Sequence, residues 1–274
     1  MEVGSFFVVA TPIGNLGDMT FRAVETLKSV DYIACEDTRV TRKLLDRYSI
    51  SAKLFDYQKF NEKQCSEKIV SLLEGGSSVA LVSDAGTPGI SDPGRILFEK
   101  LREKNIKVTP IPGSCAVVTF LSAVERDDEQ FLFYGFLPRV SSQQSEIFNK
   151  YRNICFLFYE SPKRLVSTLE TLEIARGKDV KIAVGRELTK TFEEIKIGSV
   201  SEIIEYYKAS GVKGEIVVMV YPEDKLDEDE EKIKDKIRAL KKGGYSDKDI
   251  SKILSLLFDI KKNKVYELVV SLNR

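Results

Sequence analysis

The tetrapeptide Glu36-Asp37-Thr38-Arg39 sets two carboxylates beside a guanidinium directly after an apolar run, Tyr32 to Cys35. Such a group can accept a proton and hold an anion, or it can satisfy itself as an ion-pair cluster that caps the next helix. Composition narrows the chemistry, because the chain has no histidine. That removes the usual general base at neutral pH and the usual ligand of catalytic metals, and with them Ser-His-Asp, Cys-His and H-E-x-x-H mechanisms. Carboxylates, Lys, Tyr, backbone amides or a bound cofactor are left. The four cysteines, Cys35, Cys65, Cys115 and Cys155, lie 30 or more residues apart with no C-x-x-C pair. They read as buried thiols, not as a zinc cluster or a disulfide framework, and no metal is expected.

Three glycine-containing turns offer a place for a cofactor. The first, Ala10 to Thr20, carries Gly14 and Gly17 after an apolar strand. It is not the Rossmann G-x-G-x-x-G, and a strand-to-helix turn with two glycines is, alone, more often merely a turn. The second, Ser83 to Gly94, packs three glycines, two prolines and two carboxylates into twelve residues, the composition of a shaped binding loop. The third, Pro110 to Ala116, adds small residues whose amides and hydroxyl can meet a polar ligand. In an open α/β fold such turns share the C-terminal edge of a parallel sheet, where ligands bind.

The elements that must position these turns are legible as an alternation of short β-branched runs with helical patterns. Strands are predicted at Phe6 to Ala10, Tyr32 to Cys35, Val79 to Ser83, Val108 to Ile111, Phe131 to Phe136, Ile154 to Tyr159, Lys181 to Val184 and Glu215 to Val220, so the fold class is α/β. Helix starts are expected after Thr20, at Asp92-Pro93, at Ser161-Pro162 and at the capping box Ser199 to Glu202. With 274 residues, 43% of them hydrophobic, the chain is expected to hold an N-terminal α/β lobe over 1–112 and a C-terminal α/β lobe over 113–222. The polar stretch Arg139 to Ser145 is a further plausible seam. The last part, 223–274, reads as an acidic linker and a small basic helical domain. Glu223 to Glu231 holds seven acidic residues and one Lys, and Lys232 to Arg274 holds 12 basic and 5 acidic residues. In it Ile233, Ile237 and Leu240, then Ile250, Ile253, Leu254 and Leu257, then Val265, Leu268 and Val269 recur at helical spacing. The formal net charge is +0, so affinity for a polyanion must come from charge segregated locally, for which Lys241-Lys242 and Lys261-Lys262-x-Lys264 are candidates. No run of about 18 apolar residues and no secretory signal pattern is present, and a cytoplasmic protein is expected.

Val9-Ala-Thr-Pro-Ile-Gly-Asn-Leu-Gly-Asp, Glu36-Asp-Thr-Arg, Ser83-Asp-Ala-Gly-Thr-Pro-Gly-Ile-Ser-Asp-Pro-Gly and Pro112-Gly-Ser, followed in order by Tyr159-Glu-Ser-Pro-Lys-Arg, Gly185-Arg-Glu-Leu-Thr-Lys and Lys213-Gly-Glu, resemble the tetrapyrrole-methylase-like superfamily in its ribosomal RNA small subunit methyltransferase I family. The resemblance covers about residues 5 to 220. It implies a two-lobed class III methyltransferase fold, a homodimer, and S-adenosyl-L-methionine between the lobes, with 2'-O-methylation of a cytidine in 16S ribosomal RNA within the assembled 30S subunit as the substrate. Carried over by position, the cofactor contacts would be Pro12 and Ile13; Ser83, Asp84, Ala85, Gly86 and Thr87; Ser114, Cys115 and Ala116; Tyr159; and Gly214, Glu215 and Ile216. The wider superfamily prefers a Gly-x-Gly first turn and a Gly-Asp-Pro second turn. Ala10-x-Pro12 and Ser83-Asp84-Ala85 stand here instead and favour the RNA branch over the porphyrin branch.

A ribose hydroxyl is a poor nucleophile at neutral pH, so a proton acceptor is expected. The candidates are Glu36, Asp37, Glu160 and Glu187, with Arg39, Lys163 and Arg186 holding phosphates. Two other readings stand beside this one: a methyltransferase of the same fold acting on a porphyrin-like or other small molecule, and a non-catalytic RNA-binding assembly factor that keeps the cofactor pocket.

Overall fold

The computed structural model describes residues 3–126, 130–223, 226–258 and 262–272, and of 226–232 and 264 the backbone alone. In the first lobe β1 (Phe6–Val9), β2 (Tyr32–Cys35), β3 (Lys53–Asp56), β4 (Val79–Leu81) and β5 (Val108–Ile111) form one parallel sheet in the order β3-β2-β4-β1-β5. Alternate side chains point to opposite faces, so β1 sends Phe6 and Val8 one way and Val9 the other. On the first face α3 (Glu62–Glu74) and α4 (Arg95–Glu103) bury Ile69, Leu73, Leu97 and Leu101. On the second, α1 (Phe21–Ser29) and α2 (Thr38–Arg47) bury Ala23, Leu27 and Leu45 against Ile33 and Ala80. Both faces are covered, as a parallel sheet requires, and all five C-terminal strand ends meet at one edge.

The second lobe is a mixed sheet, β6 (Phe131–Phe136), β7 (Cys155–Glu160), β8 (Lys181–Arg186), β9 (Glu194–Ser199) and β10 (Ile216–Val220), in the order β6-β7-β10-β8-β9. Only β6 and β7 are parallel; β10 runs antiparallel to both of its neighbours. One face carries α6 (Ser141–Lys150), α7 (Leu165–Arg176) and α8 (Val200–Ser210) over an aromatic core of Phe148, Phe156 and Phe158. The other takes α5 (Ala116–Leu121) and, from the first lobe, Ile13. Because β6 pairs with β7, the polar stretch Arg139 to Ser145 lies within the second sheet's segment, where its residues from Ser141 on are the first half of α6, and does not separate the sheets.

Beyond Glu223, α9 (Leu226–Lys242), α10 (Asp247–Phe258) and α11 (Lys262–Ser271) close a separate core of Ile233, Ile237, Ile250, Leu254, Val265 and Val269. Leu257, expected on the apolar stripe, is exposed instead. Apart from Glu223, the acidic run falls on residues 224–225 and on side chains of 226–231, which lie outside the described set, as do Lys261 and the Lys264 side chain.

Strands β3 and β9 were not anticipated from the sequence. Both are edge strands with charged residues at intervals, Lys53 and Asp56 in one and Glu194 and Lys196 in the other. Thr20 caps α1 by accepting from Ala23 N–H at 3.1 Å, and the Ser199–Glu202 capping box is formed. At the two Pro-containing sites the helices begin later than expected. The first amides of α4 do not go to Asp92. Gly94 and Ile96 N–H donate to the buried Glu62 carboxylate at 3.0 and 3.1 Å. Ser161 does not cap α7, which begins at Leu165.

Candidate active site between the lobes

The three turns at the first sheet's edge are sewn together by backbone. Thr11 and Gly86 exchange N–H···O=C bonds at 2.9 and 3.1 Å, and the buried Thr11 hydroxyl donates to Ser83 O at 3.1 Å. The Thr87 hydroxyl reaches Ser114 O at 3.1 Å and so ties the second turn to the third. Gly86 has φ +81°, a conformation that a side chain would strain.

Facing them is a wall from the second lobe. Glu187 (φ +52°) donates its N–H to Glu215 O at 2.9 Å, while its carboxylate accepts from Glu215 N–H at 2.9 Å and from Lys190 Nζ at 2.8 Å. Lys190 also reaches Glu215 Oε2 at 3.1 Å. Gly214 sits beneath this clasp, where a Cβ would lie 2.3 Å from the Glu187 carboxyl carbon. On the other side the clasp touches the first lobe: a Cβ on Gly14 would meet Lys190 Cγ at 2.4 Å and Thr189 Oγ1 at 2.8 Å.

Between the walls lies a cleft of about 410 Å³. Ile13, Asp84, Ala85, Gly86, Thr87, Cys115, Ala116, Tyr159, Gly214, Glu215 and Ile216 line it, together with Glu36 and Glu160. Pro12, Ser83 and Ser114 do not; Ser83 and Ser114 stand behind the lining and accept, through their carbonyls, the hydroxyl bonds that shape it. Asp37, Arg39, Arg186 and Glu187 are also outside the lining. Reading by turn missed Ile90, Ser91 and Asp92 at the far end of the second loop, Phe136 at the end of β6, Ser161 and Pro162, and Gly185, Leu188 and Val217. Phe136 was signalled by being the last residue of a predicted strand; its ring stands 5.5 Å from that of Tyr159.

The four candidate carboxylates have different surroundings. Asp37 caps α2, accepting from Arg39 N–H at 2.8 Å, and its carboxylate also takes Arg39 Nε and Nη2 at 3.0 and 2.6 Å. That guanidinium holds it down at about 2. Glu160 is 3% exposed and fully partnered, by Ser161 N–H at 2.7 Å, Arg164 at 2.9 Å and the Thr168 hydroxyl at 2.8 Å. Glu187 is committed to Lys190, which lowers its pKa. Glu36 alone of the four faces the cleft half-buried, and its pKa is raised, first by desolvation and then by the carboxylates of Asp92 and Asp84. Burial raises Asp92 and Asp84 as well. It also pushes the Tyr159 phenol up. Arg186 is held by Glu194 at 3.4 Å, and Lys163 is exposed. Among the described residues no group of three or more His, Cys, Asp or Glu side chains could hold a metal ion, and no helix is long and apolar enough to cross a membrane.

Residues 5–204 match the family described as tetrapyrrole (corrin/porphyrin) methylases. Proteins named ribosomal RNA small subunit methyltransferase I are similar along most of the chain. The one from Synechocystis sp. is 39% identical, covering 98% of this chain and 99% of its own. Those from Bacillus subtilis and Mesorhizobium japonicum are 38% and 46% identical, covering 97% and 82% of this chain and 94% and 78% of theirs. Among solved structures, cobalt precorrin-4 methyltransferase (CbiF) superimposes with a TM-score of 0.61 at 13% identity, covering 79% of this chain and 94% of its own. Uroporphyrin-III C-methyltransferase from Thermus thermophilus gives 0.56 at 16%, covering 80% and 92%, so both share the fold.

Proposed function

The chain belongs to the tetrapyrrole (corrin/porphyrin) methylases and, within them, to the ribosomal RNA small subunit methyltransferase I family, and on that premise we propose that this S-adenosylmethionine-dependent methyltransferase acts on the 2'-oxygen of a cytidine ribose in small-subunit ribosomal RNA. The observation that carries the reading is the cleft, whose lining suits this cofactor. Its volume falls within the roughly 300–1,000 Å³ common for small-molecule sites. Gly86 (φ +81°) and Gly214 (φ +89°) bring bare backbone to opposite walls, where amides and carbonyls can meet a nucleoside and an amino acid. Ile13, Ile90, Leu188, Ile216 and Val217 offer apolar surface to a base. Glu36, Asp84 and Asp92 give the cleft the negative charge that a cationic sulfonium calls for.

S-adenosylmethionine supplies a methyl group already activated on cationic sulfur, so the protein's tasks are alignment and proton removal. The turns 12–13, 83–87 and 114–116 with Tyr159 and Gly214–Ile216 would hold it. Glu36 is our choice for the acceptor of the hydroxyl proton. Arg39 and Lys190 hold Asp37 and Glu187 in their charged forms and the Glu160 carboxylate is engaged by Arg164, whereas Glu36 is raised by desolvation and by the neighbouring carboxylates of Asp92 and Asp84, both of which are relieved by taking a proton. Arg39 and Arg186, at the rims, would meet phosphates.

The test is transfer of labelled methyl from S-adenosylmethionine to small ribosomal subunits lacking their native modifications, followed by nuclease digestion. A 2'-O-methylated cytidine is expected. Incorporation into a porphyrin but not RNA, or cofactor binding without turnover, would overturn the reading. The same proposal takes the enzyme as a cytoplasmic homodimer, which sedimentation equilibrium checks.

A further inference from the structure

The turn Gln58 to Asn61 lies beside the cleft and has no part in lining it. Asn61 N–H donates to Gln58 O at 3.1 Å and Gln58 N–H to Asn61 Oδ1 at 2.8 Å, leaving Lys59 and Phe60 at the tip. The Phe60 side chain is nonetheless 85% exposed. Both flanks are anchored to cleft-lining loops: Gln58 Nε2 donates to Glu36 O at 2.6 Å, and Glu62 receives the α4 amides just after Asp92. The aromatic ring is therefore presented on a braced support.

The surroundings are basic in a chain of zero net charge. From Thr38 to Lys63 there are seven Lys or Arg and three acidic residues, one of them the buried Glu62. Arg42, Lys43, Lys59 and Lys63 are exposed and make no ion pair among the described residues, while Asp46 and Asp56 are the opposing charges. An exposed ring interleaved with cations is what single-stranded nucleic acid recognises, its bases stacking while its phosphates pair.

We propose that Phe60 is a stacking platform for an RNA base next to the nucleotide in the cleft, with Lys59, Lys63, Arg42 and Lys43 on the adjoining phosphates. This rests on the functional reading above. The chain has no Trp, so Phe60→Trp places a single reporter at the tip. Full-length protein carrying it is titrated with small ribosomal subunits and, in parallel, with heparin, a polyanion without bases. Quenching by subunits but not by heparin is expected. Phe60→Ala should raise KM for subunits about tenfold, within the usual worth of one stacked base, with kcat, cofactor affinity and Tm unchanged, and Phe60→Trp should restore it. The double variant Lys59→Ala/Lys63→Ala should lower the slope of log affinity against log salt by about one to two. Unchanged emission with subunits, or a Phe60→Ala KM within twofold of wild type, overturns the proposal. The emission titration needs no turnover, so it decides this point separately from the methyl-transfer assay.

Discussion

Gly214→Ala separates the clasp over the cleft from ordinary backbone strain. At φ +89° an alanine costs about 1–2 kcal/mol. Its Cβ would also stand 2.3 Å from the Glu187 carboxyl carbon, which must then move. Glu187 cannot move and keep the Glu215 N–H bond at 2.9 Å, a charge-assisted bond at a partly exposed site worth about 1.5 kcal/mol. The total is about 3 kcal/mol, a fall in Tm of roughly 6–12 °C for a chain of this size. Gly177 (φ +98°) and Gly211 (φ +72°) are the controls, since neither would meet anything within 4 Å. Gly177→Ala and Gly211→Ala should cost only a backbone part, about 1–3 kcal/mol, because their ψ of 161° and 166° lie in a region that glycine alone adopts readily. The assay is thermal unfolding of the three variants with calorimetric titration of S-adenosylmethionine. Only Gly214→Ala should weaken cofactor binding, because only Gly214 lines the cleft. Adding Glu187→Ala removes the clash, so the cost of Gly214→Ala should shrink toward that of the controls. A Gly214→Ala cost that Glu187→Ala leaves unchanged, with cofactor affinity intact, would refute the clasp.

Glu36→Gln should lower kcat by about 10²–10⁴ with cofactor affinity kept, and the acidic limb of the wild-type rate profile should lie above the usual carboxylate range. Asp92→Asn takes away a charge that raises Glu36, so that limb should move to lower pH. A carboxyl whose folded pKa is raised weakens the fold once pH climbs through it, so Glu36→Gln should raise Tm at pH 7 and lose the advantage near pH 4; a constant difference would show that Glu36 is not strained in its charged form. Glu160→Ala strips partners from Arg164 and the buried Thr168 and should cost about 3 kcal/mol by denaturant titration, with residual activity tracking the folded fraction. Glu223→Ala leaves the Arg176 guanidinium, 0% exposed and paired at 2.6 Å, without its carboxylate, for about 3–5 kcal/mol, and Glu223→Gln should recover only part.

The first lobe's turns were legible because their shapes are set by local residue choice: Gly86 must take positive φ, Thr11 bonds across one strand spacing, and small residues at 113–116 let loops close. What the sequence hid were interactions between residues far apart in the chain. Glu62 caps a helix 32 positions on, and nothing in Asn61-Glu62-Lys63 announces it. The four candidate carboxylates look alike as letters. Their different fates follow from partners such as Thr168 for Glu160 and Glu215 N–H for Glu187, supplied by a fold that spacing does not encode. Asp92 was read as a helix cap and is a cleft residue because the α4 amides were already taken.

The two lobes divide the labour in a way that explains where strain is kept. Glu36, the basic segment from Arg42 to Lys63 and the sewn turns all belong to the first lobe, whose parallel strands deliver Glu36 and the turns to one edge. The second lobe contributes a closing wall, and its non-glycine residues with positive φ, Glu187 at +52° and Thr189 at +66°, fall within three residues of each other in that wall. Thr189 Oγ1 is buried there with no hydrogen-bond partner, pressed toward Gly14. Residues in such conformations persist only where surrounding contacts over-determine them. Here those contacts are the Lys190 ion pairs and the Gly14 surface, one from each side of the seam. The spacing between the cleft-lining turns and the wall at 214–217 is thus set by a short, pinned loop and not by the broad packing of the sheets. Alignment of a methyl donor with its acceptor tolerates little play, and a pinned seam between lobes that each have their own core is the arrangement that provides it.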